Sequence, residues 1–480
     1  MRHGIAQRVA LAAFLPLALY GCSGASSDAP ADAAPGEAPA EVAKEPAKDS
    51  PRNVLLVIWD TTRADHLSLY GYERETTPYL DKIAAESTVF EQAIPGGYWT
   101  APSVASLFSG MYTHNHKVDF HVEDEQKSLN LPDSVVTLAE VMKDRGYRTG
   151  MYINKKLIDA NETYHQGFDT WEWTQAEDIG PASMAFMEAA GDDPWFVVAY
   201  YSGPHAPYLP GEGFNKWADT SMPEMNIRGC HDEKEYPEHW VCWKDIDRGK
   251  ITLTEAQWTY LKDLYDGAIL WHDHLLGEFW KGMGDKGLAD DTLFAFTSDH
   301  GEAFNDHPTE RSWHTRPFEN NQLVPLVMRL PGTFPAKRID TAVRNMDLYS
   351  TLIEVSGGEV KHEVNAENLM SVVEGKEGDR PNIGFTNAGA AHTWYRTPQY
   401  KLIYSRSKPT KTKPHLLEVY DLKADPQEKN NLGQSRPDLV AQLKSERQAI
   451  EDASALEVAA GSRVTDEQNE LLRELGYITD

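Results

Sequence analysis

The sequence predicts an α/β protein with a large, mainly parallel β-sheet flanked by helices. Short apolar runs recur along the chain and stop at polar residues, which is the pattern of strands buried on both faces. Helical patterns such as Ser134–Arg145 and Thr254–Trp280 lie between these runs. Strands that alternate with helices in this way form parallel sheets, because each crossover between parallel strands needs a long connection.

Four of the apolar runs end in polar residues that could carry chemistry. These predicted strands are Val54–Trp59, Thr149–Ile153, Trp195–Tyr201 and Leu293–Thr297. The polar residues that follow them are, in the same order, Asp60; Asn154 and Lys156; His205; and Asp299 and His300. Open α/β sheets bind ligands at the carboxyl ends of their strands. If the four strands are neighbours, these side chains converge on one edge of the sheet.

A hydroxyl group is predicted at the beginning of a further helix. Pro102 suits the first turn of this helix, Thr100 or Ala101 would cap it, and Gly110 suits its end. A threonine in this place is an ordinary N-cap in many proteins. The positive end of a helix also binds anionic groups through its backbone N–H groups. Thr100 is therefore also placed to face an anionic ester.

Two carboxylates and one imidazole form the candidate metal site. Asp60, Asp299 and His300 offer two oxygen ligands and one nitrogen ligand, a set that suits a hard or borderline divalent ion. The sequence does not choose between Ca²⁺, Mg²⁺, Mn²⁺ and Zn²⁺. A metal beside the hydroxyl of Thr100 would lower the pKa of that hydroxyl and make it a nucleophile.

Length and composition exclude several classes of protein. The 480 residues include 46 Lys and Arg against 74 Asp and Glu, which gives a formal charge of −28. Nucleic acid is disfavoured as a partner, because binding a duplex needs a positively charged surface. With 41% hydrophobic residues and 13 Trp, the chain can bury a large core. Its three cysteines are too few for a disulfide framework.

The N-terminal residues predict export and a membrane anchor. Residues 1–21 combine Arg2 and Arg8 with an apolar stretch, as bacterial signal peptides do, and the ending Leu19–Cys22 resembles a lipobox. Residues 22–52 are rich in Ala, Pro and acidic residues, which cannot bury enough surface to fold. We expect a lipid on Cys22, a flexible tether, and a body that faces the periplasm or the cell surface. An uncleaved anchor with an incidental cysteine is the alternative.

The other two cysteines lie close together in a segment rich in Trp, His and Tyr. In an oxidising compartment, Cys230 and Cys242 could form a disulfide that closes a short loop. The neighbouring His231 and His239 leave a Cys/His metal site as an alternative. We expect an insertion of about 207–250 here, forming a wall of the substrate cleft.

Separated motifs in a fixed order resemble those of the sulfatase family, which belongs to the alkaline phosphatase superfamily. The resemblance covers nearly all of the chain after the tether. The motifs are Asn53–His66, Tyr70–Tyr72, Thr77–Asp81, Pro204–Tyr208, Ser298–Glu302 with Val324-Pro325, Tyr400–Ile403, Val419–Glu428 and Leu475–Ile478. The resemblance implies a catalytic domain over residues 53–375 and a smaller C-terminal α+β subdomain and tail over residues 376–480.

The resemblance also implies roles for individual residues. Asp60, Asp299 and His300 match the positions of metal ligands, with Thr61 as a candidate fourth neighbour. Further site positions are matched by Thr100 as the nucleophile, His205 facing the leaving group, His314 at a substrate-binding position, and Asn154 and Lys156 where many sulfatases have a Lys and a His.

The nucleophile position departs from the family pattern. Sulfatases have Cys or Ser followed by x-Pro-x-Arg, and the Cys or Ser is oxidised to formylglycine. This chain has Thr100-Ala101-Pro102-Ser103-Val104, so both the convertible residue and the Arg are missing. No formylglycine is expected. A threonine adduct lacks the second hydroxyl that expels sulfate, so water or an acceptor alcohol must resolve it.

We therefore expect a metal-dependent hydrolase or transferase of an anionic ester, favouring phosphodiesters and phosphate or phosphonate esters. Phosphoryl adducts on Ser or Thr are usual in the metal-dependent relatives that use a hydroxyl nucleophile. The substrate would be a small molecule or a glycan- or lipid-linked ester. A sulfatase that works without formylglycine is the first alternative. A catalytically silent binding lipoprotein with the same fold is the second, although it would have no reason to keep a costly cluster of like charges.

Overall fold

The computed structural model describes residues 52–118, 129–219, 249–386, 392–405 and 416–458, with residues 246, 465, 468 and 470. The predicted signal peptide, the tether and the lipobox cysteine lie outside these residues, as do Cys230 and Cys242 with most of the 207–250 insertion. Within the described part of the chain, we find no helix with both the length and the apolar character needed to cross a bilayer. The domain boundaries proposed from the sequence remain predictions.

A nine-stranded sheet forms the centre of the fold. Its strands are β1 (Asn53–Trp59), β2 (Thr88–Ile94), β3 (Arg148–Ile153), β4 (Thr170–Trp173), β5 (Trp195–Tyr201), β6 (Thr292–Ser298), β9 (Val324–Arg329), β10 (Lys337–Ile339) and β11 (Val343–Arg344). The order is β10-β2-β9-β6-β1-β5-β3-β4, and β11 pairs with β2. Among these nine strands β9 alone runs antiparallel to its neighbours, so the prediction of a mainly parallel sheet is confirmed.

Two smaller antiparallel sheets complete the described strands. A hairpin consists of β7 (Ala303–His307) and β8 (Glu310–Trp313). Near the C-terminus a four-stranded sheet has the order β12-β13-β14-β15, from Asn382–Thr386, His392–Arg396, Tyr400–Ser405 and Leu417–Asp421. With a final helix, this sheet forms the predicted C-terminal α+β part.

The helices alternate with the strands of the large sheet. Those in the described residues are α1 (Pro78–Ala84), α2 (Thr100–Ser109), α3 (Thr113–His116), α4 (Leu138–Asp144), α5 (Lys156–Asp159), α6 (Ala176–Ala190), α7 (Glu255–Asp285), α8 (Glu319–Gln322), α9 (Leu348–Val355), α10 (Met370–Val373) and α11 (Pro437–Ala453). Helix α4 begins later than predicted, because Thr137 caps it in a capping box with Glu140. Helix α7 continues beyond the predicted end to Asp285.

Strand β1 shows how the sheet separates two apolar cores. Val54, Leu56 and Ile58 face a core that includes α2, α4 and α9. Leu55, Val57 and Trp59 face a second core with α1, α6 and α7. All seven residues of β1 are buried, which explains its continuous apolar run. Because both faces of the sheet are covered, functional side chains can meet only at its edges.

Candidate active site

The predicted site residues converge at the carboxyl edge of the large sheet. The order β6-β1-β5-β3 makes the four predicted strands immediate neighbours. Asp60 follows β1, Asn154 follows β3, His205 lies just beyond β5, and Asp299 and His300 follow β6. The prediction that these strands are adjacent is therefore confirmed.

Asp299 is a buried carboxylate held by three hydrogen bonds. Its Oδ1 accepts from the backbone N–H of His300 at 2.9 Å and of Thr61 at 3.2 Å. Its Oδ2 accepts from the hydroxyl of Tyr200 at 2.9 Å. Burial is the main cause that raises the pKa of Asp299, and the nearby Lys155 acts in the opposite direction by favouring the charged carboxylate.

His300 presents one ring nitrogen to the cluster. Its Nδ1 lies 2.8 Å from the carbonyl oxygen of Gly301, and must therefore carry the proton. The neutral ring then has its lone pair on Nε2, which lies 3.5 Å from Asp60 Oδ1 and 3.6 Å from Asp299 Oδ2. Burial lowers the pKa of His300 to about 4. Metal-binding histidines commonly donate their other N–H to a backbone carbonyl in this way.

Asp60, Asp299 and His300 have the chemistry of a divalent metal site. One ligand atom from each of the three side chains lies within 4.8 Å of the others, and all three residues are buried. Asp60 Oδ1 has no hydrogen-bond partner among the described residues. Burial, and then Asp299, raise the pKa of Asp60. Two buried carboxylates with an imidazole lone pair fit a divalent ion of the kind that sulfatase-fold proteins use.

Lys155, and not Lys156, reaches the cluster. The ammonium group of Lys155 forms a buried ion pair with Oδ2 of Asp60, and only 5% of Lys155 is exposed. Lys156 is exposed at the beginning of α5. The sequence prediction selected the wrong one of two adjacent lysines, because the direction of the turn after β3 decides which one points inward.

Thr61 contributes its backbone to the site. Its φ of 54° is in the left-handed region, which is uncommon for a threonine. The hydroxyl donates to the carbonyl oxygen of Asp60 at 2.8 Å, and the N–H donates to Asp299. Thr61 thus helps to hold Asp299, and its predicted role as a fourth metal neighbour remains a prediction.

Thr100 is the first residue of α2 and does not cap it. Trp99 has the extended backbone of an N-cap, and no side chain caps the helix. The prediction that Thr100 or Ala101 caps this helix is wrong, while Gly110 ends it with a φ of 66°, as predicted. The buried hydroxyl of Thr100 lies 3.3 Å from Nε2 of His300, at the positive end of the helix.

His205 is a partly buried, neutral imidazole. Its Nδ1 lies 2.6 Å from the carbonyl oxygen of Ala206, so the proton is on Nδ1 and the lone pair is on Nε2. Burial lowers the pKa of His205 to about 4. The loop before it packs tightly, because a Cβ atom on Gly203 would lie 1.9 Å from the ring of His272. Only glycine fits there.

His314 enters the site from the end of the β7–β8 hairpin. Trp313, just before it, has a φ of 66°, a strained conformation of the kind found at functional sites. The ring centroid of His314 is 4.4 Å from that of His300 and 5.8 Å from that of His205. Its Nδ1 is 3.7 Å from a carboxylate oxygen of Glu302. Burial lowers the pKa of His314 well below its usual value, so the ring is neutral.

Asn154 links two strands of the sheet. Its Oδ1 accepts a hydrogen bond from the backbone N–H of Ser202 at 2.5 Å. The side chain therefore ties the end of β3 to the end of β5, so that Lys155 and His205 are held at a fixed separation.

Sequence reasoning missed three residues of this region. Tyr200 is the penultimate residue of an apolar strand, where a hydroxyl carries no local signal. Lys155 lies between the predicted site residues Asn154 and Lys156, and Glu302 ends the motif Ser298–Glu302, but no pattern marked the orientation of either side chain. Glu302 is fully buried beside His314, and burial raises the pKa of its carboxyl group.

A buried carboxylate–imidazole cluster at the edge of an α/β sheet, close to a hydroxyl at a helix N-terminus, provides the groups with which a hydrolase can cleave an anionic ester. The sulfatase family model matches residues 52–358. A second model, described as the C-terminal part of N-sulphoglucosamine sulphohydrolase, matches residues 310–453. The chain belongs to the sulfatase family, whose members hydrolyse sulfuric or phosphoric esters.

The relatives that are similar to the chain include an arylsulfatase and a multifunctional alkaline phosphatase superfamily protein. An arylsulfatase of Clostridium perfringens is 23% identical over 442 residues, covering 79% of this chain and 90% of the relative. The second relative, PehA of Trinickia caryophylli, is 23% identical over 478 residues, covering 79% of this chain and 91% of the relative.

Solved structures of a complex with a sulfated sugar and of a phosphonate monoester hydrolase share the fold. A protein in complex with its substrate D-glucosamine-2-N,6-O-disulfate has a TM-score of 0.68 at 19% identity and covers 84% of this chain and 98% of its own. A phosphonate monoester hydrolase from Silicibacter pomeroyi has a TM-score of 0.67 at 18% identity, and the match covers 86% of this chain and 98% of the hydrolase. The fold similarity does not separate sulfate from phosphonate chemistry.

Proposed function

We propose that this protein hydrolyses a phosphodiester or a phosphonate or phosphate ester, with Thr100 as the nucleophile. The observation that carries the proposal is the position of the Thr100 hydroxyl. It is buried, it is 3.3 Å from Nε2 of His300, and the helix does not use it as a cap. A threonine hydroxyl that is released from capping and placed beside a carboxylate–imidazole cluster is available for nucleophilic attack.

Positive groups in the site favour an anionic ester. The ammonium group of Lys155 lies at Asp60, and the N-terminus of α2 carries partial positive charge. Asp60, Asp299 and His300 would hold a divalent ion, which would polarise the ester and lower the pKa of a neighbouring hydroxyl. These local charges are needed because the chain as a whole carries −28.

Two histidines are placed to handle protons. Neutral His205 has its lone pair on Nε2, so it is suited to accept a proton. Neutral His314 carries one N–H in either tautomer, so it is suited to donate a hydrogen bond to the ester. In the reaction, the Thr100 hydroxyl would give its proton to a neutral imidazole of the site as its oxygen forms a bond to phosphorus. The bond to the leaving oxygen breaks, and that oxygen takes up the proton from the imidazolium. Water then hydrolyses the phosphothreonine and regenerates Thr100.

A phosphorus ester is favoured over a sulfate ester as the substrate, because Thr100 stands at the position that formylglycine has in sulfatases. A formylglycine hydrate expels sulfate through its second hydroxyl, and threonine has none. The adduct on Thr100 must be cleaved at its central atom, which is ordinary chemistry for phosphoryl esters.

The test is a substrate panel with purified, metal-supplemented protein. We expect turnover of bis(p-nitrophenyl) phosphate and p-nitrophenyl phenylphosphonate, loss of more than 100-fold for Thr100→Ala, and retained activity for Thr100→Ser. Acid quenching during turnover should trap a phosphoryl group on Thr100, detectable by mass spectrometry. Unchanged turnover by the Thr100→Ala variant would rule out this nucleophile.

Sulfate ester hydrolysis is the second candidate, because the arylsulfatase and the sulfatase structures are as similar to the chain as the phosphonate hydrolases are. Release of sulfate from p-nitrophenyl sulfate, without turnover of the phosphorus esters, would establish this alternative. If no ester in the panel is hydrolysed and no divalent ion binds, the silent binding module is the correct description.

We further propose that the mature protein is anchored by a lipid on Cys22 and faces the periplasm or the cell surface. The support is the N-terminal sequence alone, with its basic start, apolar stretch and lipobox. In this arrangement the substrate would be a small-molecule or glycan- or lipid-linked ester outside the cytoplasm.

A further inference from the structure

Glu310 is a fully buried carboxylate outside the metal cluster, at the beginning of β8. Its Oε1 accepts hydrogen bonds from the backbone N–H of Thr315 at 2.9 Å and of Arg316 at 2.7 Å, and from the hydroxyl of Thr315 at 3.2 Å. These two residues follow His314 directly. The carboxylate therefore fixes the chain at the point where His314 leaves the hairpin.

The same carboxylate also binds Asn320 and Asn321, which form hydrogen bonds to the loop that follows His300. Its oxygens accept from the side-chain amides of Asn321 at 2.9 Å and of Asn320 at 3.3 Å. The carbonyl oxygens of these two asparagines in turn accept from the N–H groups of Gly301 at 3.0 Å and Glu302 at 3.2 Å. Glu310 is thus joined by short paths to His314 on one side and to the residues after His300 on the other.

The packing leaves little freedom for this connection to shift. A Cβ atom on Gly301 would lie 2.0 Å from the carbonyl oxygen of Asn320. The loop after His300 and the segment with Asn320 and Asn321 are therefore in close contact. Asn321 also donates to the carbonyl oxygen of Arg316 at 2.8 Å. The two segments that Glu310 joins are therefore also joined to each other.

We propose that Glu310 is a positioning residue, which sets the place of His314 relative to His300. The hydrogen bonds of Glu310 described above go to Thr315, Arg316, Asn320 and Asn321, and not to Asp60, Asp299 or His300. Its effect on the reaction passes through His314, whose ring lies 4.4 Å from that of His300. In preorganised sites, a displacement of about 1 Å can lower the rate by about 100-fold.

The decisive experiment is a double-mutant cycle of Glu310→Ala and His314→Ala. The activity readout rests on the proposed function, with bis(p-nitrophenyl) phosphate as the probe. Glu310→Ala should lower kcat/KM by about 10- to 100-fold in the otherwise wild-type protein. In the His314→Ala background it should lower kcat/KM by about threefold or less, because the residue through which it acts is already gone. A full loss in both backgrounds would overturn the proposal.

A matched control separates positioning from general destabilisation. Asp273 is another buried carboxylate, and its oxygens accept from the backbone N–H of Tyr79 and Leu80, both at 2.8 Å. It lies on α7, and both of these partners lie on α1. Asp273→Asn should lower thermal stability but act additively with His314→Ala. A non-additive effect for Asp273→Asn would mean that the cycle measures folding rather than position.

A structural readout makes the inference independent of turnover. In a crystal structure of the Glu310→Ala variant, the His314 ring should move by about 1 Å or more relative to His300, while Asp60 and Asp299 stay in place. An unmoved His314 would overturn the proposal even if the proposed reaction is correct. Conversely, absent turnover in the wild-type protein with a displaced His314 in the variant would refute the proposed function alone.

Discussion

The two adjacent lysines after β3 allow a sharp test of the site. Lys155 forms a buried ion pair with Asp60, whereas Lys156 is exposed. Lys155→Met removes the ammonium group and keeps most of the apolar volume. Lys156→Met makes the same chemical change one residue away and serves as the control.

The size of the effect follows from burial. A hydrogen bond to a charged group contributes about 1.5–3 kcal/mol, and a tenfold change in rate corresponds to about 1.4 kcal/mol. We therefore expect Lys155→Met to lower kcat/KM by roughly 10- to 150-fold. Removing one partner of a buried ion pair also lowers the free energy of unfolding, by about 3–5 kcal/mol when nothing replaces it. A divalent ion at Asp60 would reduce that loss of stability.

The assay is hydrolysis of bis(p-nitrophenyl) phosphate, with thermal unfolding of each variant at fixed metal concentration. Lys156→Met should stay within about twofold of the wild-type protein, because an exposed lysine contributes little. The reasoning would be refuted if Lys156→Met lost as much activity as Lys155→Met, or if Lys155→Met stayed within threefold of the wild-type protein.

Three further outcomes are expected. Metal analysis should find one divalent ion per chain, with Mn²⁺ or Zn²⁺ raising Tm more than Ca²⁺ because an imidazole nitrogen is among the ligands; Asp299→Asn should abolish the rise. Burial lowers the pKa of His116 to about 3, so the unfolded chain binds more protons between pH 6.5 and 3. Stability should therefore fall as the pH falls through that window, by at most about 5 kcal/mol from this residue, and pH-dependent denaturation of His116→Gln should show a smaller fall. Cys22→Ala should move the protein from the membrane fraction to the soluble fraction and abolish palmitate labelling; unchanged membrane association would contradict the lipid anchor.

The sequence was sufficient for the parts of the fold that hydrophobic pattern controls. Strands β1, β3, β5 and β6 end within about one residue of their predicted ends, because a strand buried on both faces must be apolar until it leaves the sheet. The convergence of Asp60, His205 and Asp299 followed from strand adjacency alone. The sequence therefore led to the right edge of the sheet and to the right family.

The remaining features depend on local turn geometry, which the sequence pattern does not encode. The direction of the backbone turn after β3 determines which of two adjacent lysines, Lys155 or Lys156, points toward Asp60. The capping role predicted for Thr100 failed because Trp99 takes the extended conformation first. Glu310 gave no signal, since its partners are backbone N–H groups and side chains that the fold brings together from the end of the hairpin and from α8.

The burial of Val104 bears on how this site could change over time. Val104 occupies the position at which sulfatases have the Arg of their modification motif, and here its side chain is fully buried in the apolar core around α2. An Arg placed there would bury a charge at a cost of several kcal/mol. Mutation of Thr100 to Cys alone would not restore the motif, and the second change carries a folding cost. If Thr100 is the nucleophile, as proposed, the packing behind α2 opposes the sequence changes that would create a formylglycine motif at this position.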